Sequence, residues 1–167
     1  DVATWLETAV KGYVSDARER ATLLGLVPQL ESRLRVAMLE EIKAKRATPF
    51  RDLLAREIEP LDVVTARAKR EVLDIVATLP IAYAKTNAIF ASLERKSPGA
   101  GGLFAIFVSD LCKGCGECVT ECGDHMALTM AVETEAVNVH HATATAFLDL
   151  LPDTPQNTVS VPFGIST

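Results

Sequence analysis

The chain has 167 residues, of which 49% are apolar, 23% charged and only 5% aromatic; this fits one or two small domains and excludes a large multi-step enzyme. Its longest uninterrupted apolar run, Leu-Phe-Ala-Ile-Phe-Val at 103–108, has six residues where a bilayer-spanning helix needs about 20, so no segment reads as a membrane span. The net charge of −5 hides an asymmetry: residues 1–98 hold 16 Lys and Arg against 14 Asp and Glu, while residues 99–167 hold 1 against 8. That acidic back half argues against nucleic acid and suits a basic partner or a low-potential redox centre.

In chain order, residues 1–7 lack the basic start and apolar core of an export signal. The chain also begins at Asp1 rather than Met, so we expect a piece of a longer, cytoplasmic protein. Residues 1–26 read as a helix, with Asp1 as cap and Val2, Leu6, Ala9, Tyr13 and Ala17 at helical spacing. Trp5 and Val10 widen its stripe, and Pro28 is expected to close it. A second helix is expected over 29–46, where Leu30, Leu34, Met38 and Ile42 recur every four residues among charges. Thr48 before Pro49 is a strong start signal, a capping hydroxyl followed by the residue best tolerated in a first helical turn, and that third helix should end near Glu59. A fourth is expected over 61–79 through Val64, Ala68, Val72, Ile75 and Leu79, and a fifth over 81–96, broken by Ser97-Pro98-Gly99.

The stretch 97–102 holds three glycines and a proline and marks the expected internal boundary. Beyond it, 103–108 is short and rich in β-formers, which predicts a buried strand. A second strand is expected at 127–132 and a helix at 142–151, stopped by Pro152 and Pro155. The tail 157–167 carries no clear pattern.

All four cysteines, Cys112, Cys115, Cys118 and Cys122, fall within eleven positions, whereas a disulfide framework would spread them out. Their spacing, C-x2-C-x2-C-x3-C, is that of bacterial ferredoxin-type iron–sulfur ligation. Three thiolates at intervals of three can wrap one loop around three corners of a [4Fe-4S] cube. Gly114 and Gly116 permit the positive φ that turns backbone N–H groups toward its sulfurs. Cys122 is expected on the helix entered after Cys118, facing away, and in two-cluster ferredoxins the fourth cysteine serves the other cluster. Each cube would then be short of thiolates, which sequence absent from this chain would supply. The alternatives are a rearranged loop that lets Cys122 close the same cube, a non-cysteine ligand such as His125 or Asp110, or a three-iron cluster.

Structural zinc generally takes two separated pairs of ligands, a poor match to one crowded run. His125 reads as a surface or helix-flank residue and His140-His141 as polar loop filling. Lys43, Lys45 and Arg46, like Arg67, Lys69 and Arg70, are interleaved or flanked by Glu40, Glu41, Glu71 and Asp74 and read as solvated helix faces. No phosphate-binding glycine fingerprint, cysteine–histidine nucleophile or serine elbow is present, so the chain alone is not expected to turn over a substrate. Glu117, Glu121 and Asp124 oppose the addition of an electron and push a cluster potential downward.

The stretch Ala84-Lys-Thr-Asn-Ala-Ile-Phe-Ala, the turn Lys96-Ser-Pro-Gly-Ala-Gly-Gly, the run from Phe104 through Cys118, and Cys122-Gly-Asp-His-Met-Ala-Leu resemble the ferredoxin-like region of large thiamine-dependent 2-oxoacid:acceptor oxidoreductases, the pyruvate:ferredoxin oxidoreductase superfamily. Leu148-Asp-Leu-Leu-Pro-Asp-Thr-Pro-Gln resembles the family's sequence just after its cluster segment, and the likeness spans 81–156. It implies an internal relay that carries electrons from thiamine diphosphate through clusters to a ferredoxin or similar acceptor. Cys112, Cys115 and Cys118 would hold one cluster, and Cys122 would lie on the partner cluster or close its own. Two departures stand out: the family usually has two cysteine runs, and Gly123 replaces the proline often found after the fourth cysteine. Thiamine diphosphate and its magnesium would belong to parts of the enzyme absent here.

The expectation is therefore an α+β chain: a helical region at 1–98, then a small ferredoxin-like iron–sulfur module with a C-terminal tail at 99–167. Its expected role is electron transfer within a 2-oxoacid oxidoreductase, in contact with the remainder of that enzyme and its acceptor. The alternatives are a zinc-stabilised structural or adaptor module, and an independent small ferredoxin.

Overall fold

The computed structural model describes residues 2–46, 48–83 and 103–153. Helix α1 spans Val2–Tyr13, and the expected cap Asp1 lies outside the described residues. The helix expected over 1–26 is broken at 14–16 by Asp16, whose extended backbone and carboxylate cap a new helix by accepting the N–H groups of Arg18 and Glu19, each at 2.9 Å. Asp competes with the helical ladder through its own side chain, and here it wins. The Arg20 guanidinium closes the other side of the break, donating to the Val14 carbonyl at 3.0 and 2.8 Å.

Helix α2 (Ala17–Lys43) runs straight through Pro28 instead of ending there as expected. An interior proline costs about 3 kcal/mol. The buried side chains Leu23 and Val27 before it and Leu30 and Leu34 after it form one stripe that favours continuity. The expected four-residue repeat also needs correction. The buried set is Val27, Leu30, Leu34, Ala37 and Glu41, alternating steps of three and four, and Met38 and Ile42 are only partly buried. A strict repeat of four drifts around a 3.6-residue helix, whereas the alternation stays on one face.

Helix α3 is Phe50–Ile58, with Pro49 at its N-cap and no side-chain cap. Thr48 is not the cap, because its hydroxyl donates instead to Glu41 Oε2 at 2.6 Å. Helix α4 is Ala66–Val76, shorter than the expected 61–79. Thr65 caps it by accepting the Ala68 N–H at 3.3 Å, and Leu61 and Val64 are buried in the turn before it.

At 81–82 the chain is a strand, not the start of a fifth helix. β1 (Ile81–Ala82) pairs antiparallel with β2 (Phe104–Ala105), Ile81 opposite Ala105 and Ala82 opposite Phe104. The rest of that expected helix, the boundary at 97–102 and the tail lie outside the described residues. β2 is also shorter than the buried strand expected over 103–108, since Ile106 and Val108 are exposed. Helix α5 (Glu117–Cys122) and a 3-10 turn at Gly123–His125 come next. The strand expected at 127–132 is not formed: those residues have no regular structure. Among the described residues the one sheet is the β1–β2 pair, so this segment has no strand to pair with. Helix α6 (Glu135–Asp149) starts well before the expected 142 because Thr134 caps it, accepting from Val137 N at 3.3 Å.

The described chain is thus mostly helical with a small antiparallel sheet. α1 packs on α2 and α4, α3 contacts both α2 and α4, and α6 lies against α1 and α4. These faces meet in one apolar core that includes Leu6, Leu34, Leu54, Ile58 and Val72. Phe147 of α6 is fully buried there, edge-on to Trp5 and Tyr13 with ring centroids 6.1 and 5.7 Å away. The long helix beyond the cysteines is thereby fixed to the helices that open the chain.

Candidate metal centre

The loop after β2 is shaped by short-range bonds. Leu111 N–H donates to Ser109 Oγ at 3.1 Å and Cys112 N–H to the Ser109 carbonyl at 3.0 Å, a turn that ends at the first cysteine. Gly114 and Gly116 both take the left-handed backbone, with φ of 64° and 78°. An added Cβ at Gly116 would meet nothing within 4 Å, and at Gly114 only the Met130 Cε at 3.9 Å. Backbone twist, rather than crowding, is what requires glycine. Gly116 then caps α5, its carbonyl accepting from Val119 and Thr120, each at 3.0 Å. This places Cys118 in the first turn of α5 and Cys122 in its last. Gly123 and Met126 turn the chain back with φ of 50° and 47°, and the Ala127 N–H donates to Cys122 Sγ at 3.2 Å.

All four thiols are free. Cys112, Cys115 and Cys118 are exposed and Cys122 is half-buried. Among the described residues, no three His, Cys, Asp or Glu side chains are grouped closely enough to hold a metal ion. His125 is exposed in the 3-10 turn, and Asp110 is exposed, accepting from Ser109 Oγ at 3.2 Å. The residues suit an iron–sulfur cluster in donor chemistry and in loop backbone, with four thiols on one short segment whose two glycines hold positive φ. They are not gathered beforehand, and metal binding commonly does that gathering itself.

His140 and His141 are not loop filling, since both lie on α6. His141 Nε2 sits 2.7 Å from the Val108 carbonyl, so it carries the proton and donates. Its ring stacks on Phe107, centroids 5.0 Å apart at 26°. The segment leading into Cys112 is therefore tied to α6 and, through Phe147, to the helical core.

Two charged groups expected on solvated faces lie inside. Lys69 is buried with its Nζ on the Glu59 carbonyl at the end of α3. Glu41 is 2% exposed, accepting from Arg46 Nε at 3.0 Å and Nη2 at 2.8 Å as well as from Thr48. The Arg46 and Thr48 bonds hold the Glu41 carboxyl down from an ordinary 4.5 to about 2, and Glu41 in turn raises the Arg46 guanidinium. The Tyr83 hydroxyl, pushed up mainly by burial, donates to the Thr48 carbonyl at 2.6 Å. The sequence signal for Glu41 is its place seven residues after Leu34 and four after Ala37, on the apolar stripe of α2.

Between residues 103 and 153 Lys113 is the one Lys or Arg, set among Asp110, Glu117, Glu121, Asp124, Glu133 and Glu135. No helix among the described residues is long and apolar enough to cross a membrane. No protein-family model matches the chain, and no curated protein or solved structure is significantly similar to it.

Proposed function

We propose that the chain is the electron-relay part of a thiamine-dependent 2-oxoacid oxidoreductase of the cytoplasm, its cysteine segment a ferredoxin-like module. Cys112, Cys115 and Cys118 would hold one [4Fe-4S] cluster, with Cys122 on a neighbouring cluster or closing the same one. The observation that carries this reading is the C-x2-C-x2-C-x3-C run on a loop whose Gly114 and Gly116 adopt φ of 64° and 78°. A bound cluster supplies one-electron transfer. The chain's own residues set its conditions. The carboxylates Glu117, Glu121 and Asp124 lie within or just after α5 and oppose added negative charge, which lowers the potential. The Ala127 N–H on Cys122 Sγ favours negative charge at that one sulfur. The half-burial of Cys122, against three exposed thiols, supports a separate role for it.

Anaerobic reconstitution with iron and sulfide tests the reading. The expected product is brown, with broad visible absorption, iron and acid-labile sulfide in equal amounts and a potential near about −400 mV or below. Cys122→Ala should retain iron at the first three cysteines, and loss of all iron from that variant rejects the split of ligands. A colourless protein holding one zinc and no sulfide makes the module structural instead.

A further inference from the structure

We propose that the cysteine-bearing face, residues 106–139, is the docking surface for another protein whose contact face is apolar at its centre and rimmed by Lys and Arg. The proposal stands on exposure and charge and does not depend on the cluster. Among the described residues, eight large apolar side chains between 106 and 139 are exposed, with Leu111 at 83% and Val132 at 84%. Where exposed apolar groups adjoin one another they mark an interaction site. Three of these side chains flank the cysteine loop: Leu111 precedes Cys112, the Met130 methyl lies near Gly114 between Cys112 and Cys115, and Met126 ends the turn after Cys122.

Charge selects the occupant. Asp110, Glu117, Glu121, Asp124, Glu133 and Glu135 are all exposed and share the segment with Lys113 alone. An anionic lipid surface would be repelled by that field, and so would nucleic acid. A second copy meeting the first through the same face would set carboxylates against carboxylates. A partner with a basic rim is drawn in, and an apolar centre on it covers the exposed Leu, Met and Val side chains.

The test uses the whole chain and two helical 14-residue peptides, one of Leu and Lys and one of Leu and Glu with the same apolar face. We expect the Leu-Lys peptide to bind one per chain and to shift amide resonances within 106–139. Its affinity should fall about tenfold or more between about 50 and 300 mM salt, and the Leu-Glu peptide should not bind. Leu111→Ser with Val132→Ser should weaken binding about tenfold. Both side chains are so exposed that the fold should survive, which an unchanged circular dichroism melt verifies. Should that pair unfold, Glu121→Lys with Asp124→Lys gives the same reading by weakening the Leu-Lys peptide and admitting the Leu-Glu one. Equal binding of both peptides, binding of neither, or resonance shifts confined to α1–α4 overturns the proposal. So does a concentration-dependent dimer abolished by the serine pair, which assigns the face to a second copy.

Discussion

At the scale of single residues, Glu41 shows how a buried charge is made tolerable. Both carboxylate oxygens are occupied, by the Arg46 fork and the Thr48 hydroxyl, so the charged form is the one the site accepts. Because the folded value lies near 2 and the ordinary one near 4.5, stability from this group is fully present above the ordinary value. It is lost as pH falls through the folded one. Glu71, held down by the Ser15 N–H and hydroxyl and then by Arg67, acts in the same direction. Glu41→Gln should lower Tm near neutral pH by on the order of 5 °C and flatten the profile between about pH 5 and 2. Urea midpoints measured across that range check it; a variant as acid-sensitive as the parent would place the effect elsewhere.

Among the elements, the link between α6 and the cysteine loop rests on His141. Removing its ring loses the 2.7 Å bond to the Val108 carbonyl and the Phe107 stack together. In His141→Ala, amides of 103–112 should exchange about tenfold faster while those of α1–α4 keep their protection. Hydrogen exchange measured by mass spectrometry resolves the two regions. Gly114, Gly116 and a helix carrying Cys122 are legible in the sequence because the backbone demands of a tight loop are written in residue type, although that helix starts at Glu117 and takes in Cys118 rather than following it. The break at Asp16 is local, a capping carboxylate that the apolar spacing of 1–26 hides. The uninterrupted Pro28 is not legible, since it depends on the stripe that Leu23, Val27, Leu30 and Leu34 bury together. The unformed strand at 127–132 fails for the matching reason: β-propensity is local, but a strand needs a neighbour. His141 reads as loop only while Thr134 goes unrecognised as the cap that starts its helix.

For the whole molecule, one core joins both ends of the described chain. Phe147 contributes from beyond the cysteines, between Trp5 and Tyr13. Phe147→Ala should cost about 3–5 kcal/mol, a large share of the roughly 5–15 kcal/mol typical of a domain. Chemical denaturation would register the loss as one cooperative transition at lower midpoint, and a separate early transition for α6 would show that it docks independently.

The β1–β2 pair has a further bearing. The chain departs at Tyr83, which is buried and bonded to the Thr48 carbonyl, and returns at Leu103, which packs against the same core. Both margins are moored within the described structure, one by that bond and the other by that packing. Severing the polypeptide after residue 90 and co-expressing the halves should therefore yield a reconstituted heterodimer that survives chromatography, and Phe147→Ala in the second half should abolish the complementation.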